Sequence, residues 1–434
     1  MMRKAAFPFL IFVLASLIGK GQTDTIYTEE YIDKSTRFAW MTFGVDLHYH
    51  TGGTSEFLQA GVKTPVQLGA TTTPRMTIGG IHFWGHADFY VTFPLGFLTL
   101  HGTPSELQQQ TLLQGVETGA RVYPWKLAPG KLRPFAGISF RRFQYAQADD
   151  AADGYIMGVP NYGTFIYPVQ FGVTYSTDRW MFSASSYYNY QNRFSYVLSP
   201  TETAAVELDP FSFNLSLIRY FDADRGMRTK QAVANANAAH RVLDQKGKLS
   251  AWFFGIGPSS ALQVSKSPFL QANYPHFYED HAASIMPDLS FGRFFHRPDM
   301  NVNLTYRTYG NRYRGFDDQI NIRRHSIGLE SVKFLFNYLG FVPFVGPVIS
   351  YENLHTRING TSFREDKVAA GVTFGWDIRV TKTGTGLLRT NLRYFPQLHQ
   401  NIQGERMLFD HLEFNFIQWV QFIGRKKVLK GAMS

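Results

Sequence analysis

The sequence predicts an all-β protein, a transmembrane antiparallel β-barrel of about sixteen strands built from two eight-strand repeats. Three observations predict it. Apolar and polar residues alternate with period two over segments of about ten residues. Tight turns and longer connections alternate between those segments. One long stretch of the chain is written twice.

In the duplication, Gly115-Val116-Glu117 answers Gly328-Leu329-Glu330, and Pro134-Phe135-Ala136-Gly137 answers Pro343-Phe344-Val345-Gly346. Downstream, Gly172-Val173-Thr174-Tyr175 matches Gly371-Val372-Thr373-Phe374, and Phe211-Ser212-Phe213-Asn214-Leu215 matches Leu412-Glu413-Phe414-Asn415-Phe416. Upstream, Phe38-Ala39-Trp40 answers Ser250-Ala251-Trp252. The matches keep one order at a period of roughly 200 residues, so each copy is large enough to be a small domain.

Composition excludes several classes. The 434 residues contain no cysteine, which removes disulfides, thiolate metal sites and a cysteine-based lipid anchor. Aromatic residues make up 16% against only 18% charged, a balance suited to strands with one apolar face. At the start, Arg3 and Lys4 precede the apolar run Phe7 to Ile18 and the small-residue stretch Gly19-Lys20-Gly21. A run of about twelve apolar residues is too short to span a bilayer, so 1–21 is expected to be a signal peptide. Its removal takes three cations and lowers the net charge from +10 to +7. No other segment reaches eighteen apolar residues, so an exported chain crosses a membrane only as a β-barrel.

Residues 22–37 are polar, with Glu29, Glu30 and Asp33, and are expected to be a periplasmic lead-in without regular structure. The first repeat spans 38–221. In 38–49, Ala39, Met41, Phe43, Val45 and Leu47 share one face, and Thr42, Gly44, Asp46 and His48 the other. After a polar, Gly-rich stretch to about Pro74, strands are expected at 76–84, 87–98, 112–123, 133–146, 165–176, 179–190 and 208–221. Long loops are expected at 147–164, which is acidic, and at 191–207. The second repeat, 249–423, gives strands near 249–263, 284–295, 300–313, 320–336, 342–356, 365–379, 385–396 and 407–422. Its short turns are His296 to Asp299, Asn337 to Phe341 and Thr381 to Gly384; the other connections are 264–283, 314–319, 357–364 and 397–406. An even strand number puts both termini on the periplasmic side.

In the last strand, Leu412, Phe414, Phe416, Val420 and Phe422 fall on one face, broken by Gln418, with His411, Glu413, Asn415 and Gln421 opposite. On these features the chain resembles the outer-membrane β-barrel proteins of Gram-negative bacteria, each copy being similar in plan to their small eight-stranded barrels. The resemblance implies contact with outer-membrane lipid and lipopolysaccharide. It also implies insertion by the barrel-insertion machinery, with Phe414, Phe416, Trp419 and Phe422 as the assembly signal. That group usually ends at its terminal aromatic residue, whereas a basic tail, 424–434, with Arg425, Lys426, Lys427 and Lys430, continues here and is expected to be solvated.

Between the repeats, residues 222–248 place Ala232 or Val233, Ala236, Ala239 and Leu243 at helical spacing, which predicts an amphipathic periplasmic connector. The repeats then close together as one wide barrel, with 208–221 pairing 249–263, or separately as two tandem eight-stranded barrels. The single barrel is the expectation adopted.

Alternation directs Glu117, Arg121, Arg141, Arg307, Glu330, Arg389 and Arg393 into the lumen. A basic lumen would favour anions, whereas Glu–Arg pairs across strands would simply satisfy each other. No enzyme, cofactor or metal site is expected. Asp46, His48 and His50 match no nucleophile motif, and His82 and His86 have no reason to converge. The expected function is a passive channel for small hydrophilic, anionic solutes. The alternative is a structural barrel that holds periplasmic or surface protein partners; nucleic acid is not expected.

Overall fold

The structure, a computed structural model, describes residues 27–36, 40–59, 62–81, 85–95, 100–101, 110–147, 162–199, 201–222, 228–263, 267–277, 285–381, 383–409 and 411–433. The expected signal peptide and most of the acidic loop 147–164 lie outside the described residues.

The first repeat begins with β1 (Trp40–His50), the hairpin β2 (Gly53–Gln59) and β3 (Val62–Leu68), and β4 (Thr71–Ile81). There follow β5 (Ala87–Pro94), β6 (Leu100–His101), β7 (Gln110–Val122), β8 (Lys131–Gln147) and β9 (Tyr162–Ile166). The repeat ends with β10 (Val169–Ser176), β11 (Trp180–Tyr188), β12 (Arg193–Val197), β13 (Thr203–Leu208) and β14 (Phe211–Asp222). Strands β1, β4, β5, β7, β8, β10, β11 and β14 form an antiparallel ring, closed because β1 pairs with both β4 and β14. At its long-loop end β2, β3, β12 and β13 form a separate four-stranded sheet. The expected strand 165–176 is split at Pro168, whose ring nitrogen cannot donate to a ladder.

The second repeat comprises β15 (Ala251–Gln263), β16 (Ile285–Phe295), β17 (Met300–Gly315), β18 (Asp318–Phe334) and β19 (Phe341–Ile358). It continues with β20 (Thr361–Ile378), β21 (Gly386–Phe395), the hairpin β22 (His399–Ile402) and β23 (Glu405–Leu408), and β24 (His411–Phe422). Eight of these, β15 to β21 and β24, close a second barrel. Strands β17 to β20 are 16–18 residues long, well beyond the roughly ten needed to cross a bilayer. The expected connections 314–319 and 357–364 are therefore mostly strand, reversed by tight turns at Phe316-Asp317 and Asn359-Gly360. All four of those residues have positive φ, as two-residue hairpin turns require.

The expectation of one sixteen-stranded barrel is corrected. β14 returns to β1, and β15 pairs with β16 and β24, so 208–221 and 249–263 do not meet. Eight strands suffice to close a barrel, and two closed rings leave no edge for a joint seam. The duplicated segments occupy equivalent places. Glu117 and Glu330 lie on the fourth ring strand of their barrels, and the Pro-Phe-x-Gly motifs lie on the fifth. The glycine of that motif has a packing reason in both copies. A Cβ on Gly346 would stand 1.9 Å from the Ser331 carbonyl oxygen, and one on Gly137 would stand 2.6 Å from that of Ala120.

Among the described residues four α-helices accompany the barrels: α1 (Glu29–Thr36), α2 (Lys230–Gln245), α3 (Pro268–Asn273) and α4 (Arg425–Met433). The lead-in was expected to lack regular structure, but α1 forms because Thr28 Oγ1 accepts from Tyr31 N and Lys34 bonds Glu30 one turn apart. Helix α2 lies inside the connector, capped by Thr229, whose Oγ1 accepts from Ala232 N. The tail was expected to be solvated, yet Arg425 is buried.

The outer surface carries the apolar residues. On β1, Met41, Phe43, Val45, Leu47 and Tyr49 are 37–52% exposed, and on barrel 2 Phe254, Ile256, Leu304, Leu329 and Ile349 are similarly bare. A continuous apolar belt around both rings is intelligible only against lipid.

Candidate functional site

Period-two alternation sends the opposite set of side chains inward, where they meet across the ring. In the first barrel Arg75 is the hub. Its Nε donates to Asp46 Oδ1 at 2.5 Å, Nη1 to Glu117 Oε2 at 2.7 Å and Nη2 to Asn214 Oδ1 at 3.1 Å. Tyr90 donates its hydroxyl to Glu117 Oε1 at 2.9 Å. Arg141 lies 3.8 Å from Glu117 and 3.0 Å from His48 Nε2. Arg121 sits 3.8 Å from Asp88 and over the Tyr90 ring.

The second barrel holds a larger network. Arg393 is fixed between Glu330 and Asp288. Arg307 reaches Glu413 at 3.0 Å and Glu330 at 3.5 Å, and Arg324 forks onto Glu352 at 2.6 and 2.8 Å while touching Glu413 at 2.7 Å. Nearer the short-turn end, Arg389 forks onto Asp377 at 2.7 and 3.0 Å, and Arg379 joins Asp377 to Asp299.

All seven lumen candidates (Glu117, Arg121, Arg141, Arg307, Glu330, Arg389 and Arg393) are buried inside the rings. Two clusters form, one per barrel. Among the described residues, barrel 1 buries three arginines and three carboxylates, and barrel 2 six of each, Arg425 included. Of the two readings of the lumen, the paired one describes these interiors: without Arg425, which lies on α4, eight buried arginines face nine buried carboxylates. The sequence reading missed Arg75, Asp288, Arg324 and Glu352. Continuing the alternation along the expected strands would have found the last three, but Arg75 falls one residue before its expected strand, after Pro74.

Packing closes what the charges leave. At the short-turn end of barrel 2, Phe253, Phe294, Val332, Phe334, Val342 and Phe344 form a buried apolar cluster. At the long-loop end, Phe269, Leu270 and Phe277 pack on Tyr313, Ile320 and Leu354. Barrel 1 carries a cluster of Phe143, Tyr145, Tyr196 and Val206 under its four-stranded sheet, beside a cleft of about 360 Å³ lined by His50, Arg141, Tyr162 and Asn189.

The assembly candidates divide. Phe414 and Phe416 are half-buried and stack edge to face, and Trp419 is 48% exposed, but Phe422 points inward. β24 spends one extra residue between Asn415 and Gln418, whereas β21 spends none, and this bulge reverses the faces. Gln418, Val420 and Phe422 therefore turn inward, and Ile417 and Trp419 outward, which corrects the single apolar face expected.

At the short-turn end the three longer helices gather on barrel 2. Tyr27 and Asn237 exchange hydrogen bonds at 2.9 and 3.0 Å, Tyr31 donates to Asn337 Oδ1, and α2 touches both α1 and α4. Arg425 donates to the carbonyls of Leu249 at 2.6 Å and Gly384 at 2.9 Å and covers the Phe422 ring. Burial, and then repulsion from Arg379, pulls its pKa below the usual arginine value.

Asp46 is engaged by Arg75 and Thr77, His48 by Arg141, and His50 accepts from Gly52 N. His86 bonds the Tyr123 carbonyl, and His82 lies outside the described residues.

No protein-family model matches the chain, and no curated protein matches it. Among solved structures it is similar to Neisserial surface protein A, at 15% identity and a TM-score of 0.30 over 40% of this chain and 97% of that one. It is also similar to the attachment invasion locus protein of Yersinia pestis, at 10% identity and 0.26 over 40% and 97%. An outer-membrane channel from Pseudomonas putida F1 aligns at 9% identity and 0.23 over 88% and 96%. The class stands on closure of the rings and on the apolar belt around them. The chain is an outer-membrane β-barrel protein, duplicated internally so that two eight-stranded barrels lie in tandem.

Proposed function

We propose that this protein is a filled double-barrel scaffold of the outer membrane, holding a surface module on one side and a helical platform in the periplasm on the other. The carrying observation is the state of the lumens. The buried arginines and carboxylates of the rings are 0–5% exposed and nearly matched in number, eight against nine among the described residues. A water-filled pore would leave those side chains wet and a selective one would leave an excess charge, which supports the scaffold over the passive anion channel. The four-stranded sheet and the long β17–β20 hairpins supply rigid surface for recognition outside. The helices α1, α2 and α4 would supply the periplasmic face, a side supported by the short turns there and by the even strand count, which keeps both ends of each barrel together.

The test is ionic conductance of the refolded protein in a planar bilayer, with insertion checked by heat-modifiable gel mobility. Silence from folded, inserted protein is expected. Large stable steps with anion preference, lost in Arg389→Ala and Arg393→Ala, would restore the channel.

A further inference from the structure

The wall of barrel 1 parts toward its long-loop end. β10 is paired on both sides up to Val169, which faces Ile138 of β8 and Tyr188 of β11. Beyond Pro168 the strand continues as β9, which among the described residues pairs only with β8. β11 stops at Tyr188, and the chain after it leaves the ring for β12 in the four-stranded sheet. The cleft of about 360 Å³ lies in this gap, with Tyr162, Thr164 and Phe165 on the β9 side and Asn189, Tyr190 and Arg193 on the other.

Arg141 and His50 line the cleft from within the ring, and both are buried. Arg141 is short of a counter-ion. Arg75 takes Asp46 at 2.5 Å and Glu117 at 2.7 Å, which leaves Glu117 3.8 Å from Arg141. The hydrogen bonds of Arg141 go instead to neutral groups, His48 Nε2 at 3.0 Å and Asn189 Oδ1 at 3.3 Å, and its buried Nε has no partner among the described residues. In barrel 2, by contrast, Arg307, Arg324, Arg389 and Arg393 each have a carboxylate oxygen within 3.0 Å. Arg121 stands as far from Asp88 as Arg141 does from Glu117, but it is covered by the rings of Tyr90 and Phe135 and does not line the cleft. His50 adds a second donor: its Nδ1 accepts from Gly52 N at 3.1 Å, so the proton of the neutral ring sits on Nε2. Among the described residues that line the cleft there is no carboxylate, and Arg193 is an exposed cation at its rim. The remaining walls are flat rings. Tyr162 stacks on Phe194 with centroids 4.5 Å apart and 5° between planes, and Phe165 stacks on Phe140 at 4.7 Å and 7°.

We propose that this cleft binds a monovalent organic acid with a flat apolar body. The carboxylate accepts from Arg141 Nε and His50 Nε2, supplying the charge that Arg75 withholds. One negative charge fits and two do not, because a second would lie unpaired near Glu117 in a buried site. The body of the ligand lies against Tyr162, Phe165 and Phe194, whose faces favour a planar partner, and the small volume limits it to a compact molecule. The site goes beyond the scaffold reading, since it needs only the parted wall and is independent of whether the lumens conduct.

The test is calorimetric titration of the full chain in lipid nanodiscs at neutral pH, with empty nanodiscs as the blank. The probes are cinnamate, the neutral cinnamamide of the same shape, and acetate, which has the charge without the body. Cinnamate is expected to bind about tenfold or more tightly than either of the others. Thr164→Trp, which fills the cleft and leaves every charge in place, should abolish binding. Arg141→Gln, checked for folding by heat-modifiable mobility, should bring cinnamate down to the level of cinnamamide. Absence of cinnamate binding by the wild type, or equal binding of cinnamamide, would overturn the proposal without recourse to any variant. Acetate binding as tightly as cinnamate would show a bare anion site and overturn the apolar body. Undiminished cinnamate binding in Thr164→Trp would overturn the placement in this cleft.

Discussion

Arg393 is held between Asp288 and Glu330, with Asn415 donating to the same Asp288 oxygen at 2.9 Å. Removing one member of such a group leaves carboxylates buried without their cation. Arg393→Leu should therefore cost about 3–5 kcal/mol, read as a lower urea midpoint in lipid vesicles. An unchanged midpoint would mean that water reaches the lumen freely. Outside the membrane, His276 lies against Phe277 and Phe316, with Asp318 at 3.3 Å. Burial pulls its pKa down, while Asp318 opposes the shift. A group with a depressed folded pKa takes up its proton more readily when released, so the stability it supports is complete above its free value of about 6.5 and declines as pH falls below that. Hydrogen-exchange protection across 267–277, taken relative to the intrinsic amide rate at each pH, should fall on acidification from pH 7 to 5, and His276→Gln should flatten the response. Residue polarity was legible from the sequence wherever alternation was unbroken, and all seven candidates lie inside the rings for that reason.

At the scale of elements, the informative departures have local causes. The bulge in β24 cannot be seen in a pattern that merely contains one misplaced glutamine, because a substitution and a phase change look alike there. Deleting Ile417 would leave one residue on each strand between the Asn391–Asn415 and Arg389–Gln418 pairs, a regular ladder with Gln418, Val420 and Phe422 still inward. That variant should keep the heat-modifiable folded band, whereas deleting both Phe416 and Ile417 turns Gln418 outward to lipid and should abolish it. Hairpins β2–β3, β12–β13 and β22–β23 lie in stretches read as loops, since a short polar hairpin outside the bilayer needs no apolar face. The overextended β17–β20 were cut short in the reading for the same reason: beyond the membrane their outward residues become arginine, histidine and asparagine.

At the scale of the whole molecule, each barrel has its own closed hydrogen-bond ladder and its own lumen of paired charges. The seam between them is the connector, and cutting it should unfold neither. A protease site placed between β14 and α2 should, after cleavage, yield two fragments that each keep heat-modifiable mobility. Collapse of both fragments would reveal a dependence that the strand pairing does not contain. The helical platform draws α1, which precedes barrel 1, onto barrel 2, so the cleaved halves should still co-purify until α1 is removed.

The sequence by itself determined the class of the fold, the duplication, the strand number and the inward set of charges. Each of these is a periodic or repeated property, written locally in residue order. Only the tertiary structure decided that the ring closes twice, because the partner of β14 is a contact over some 180 residues and both closures satisfy the same backbone bonds. It alone decided the balance of each lumen and the phase of the last strand, which depend on which side chains meet across a ring.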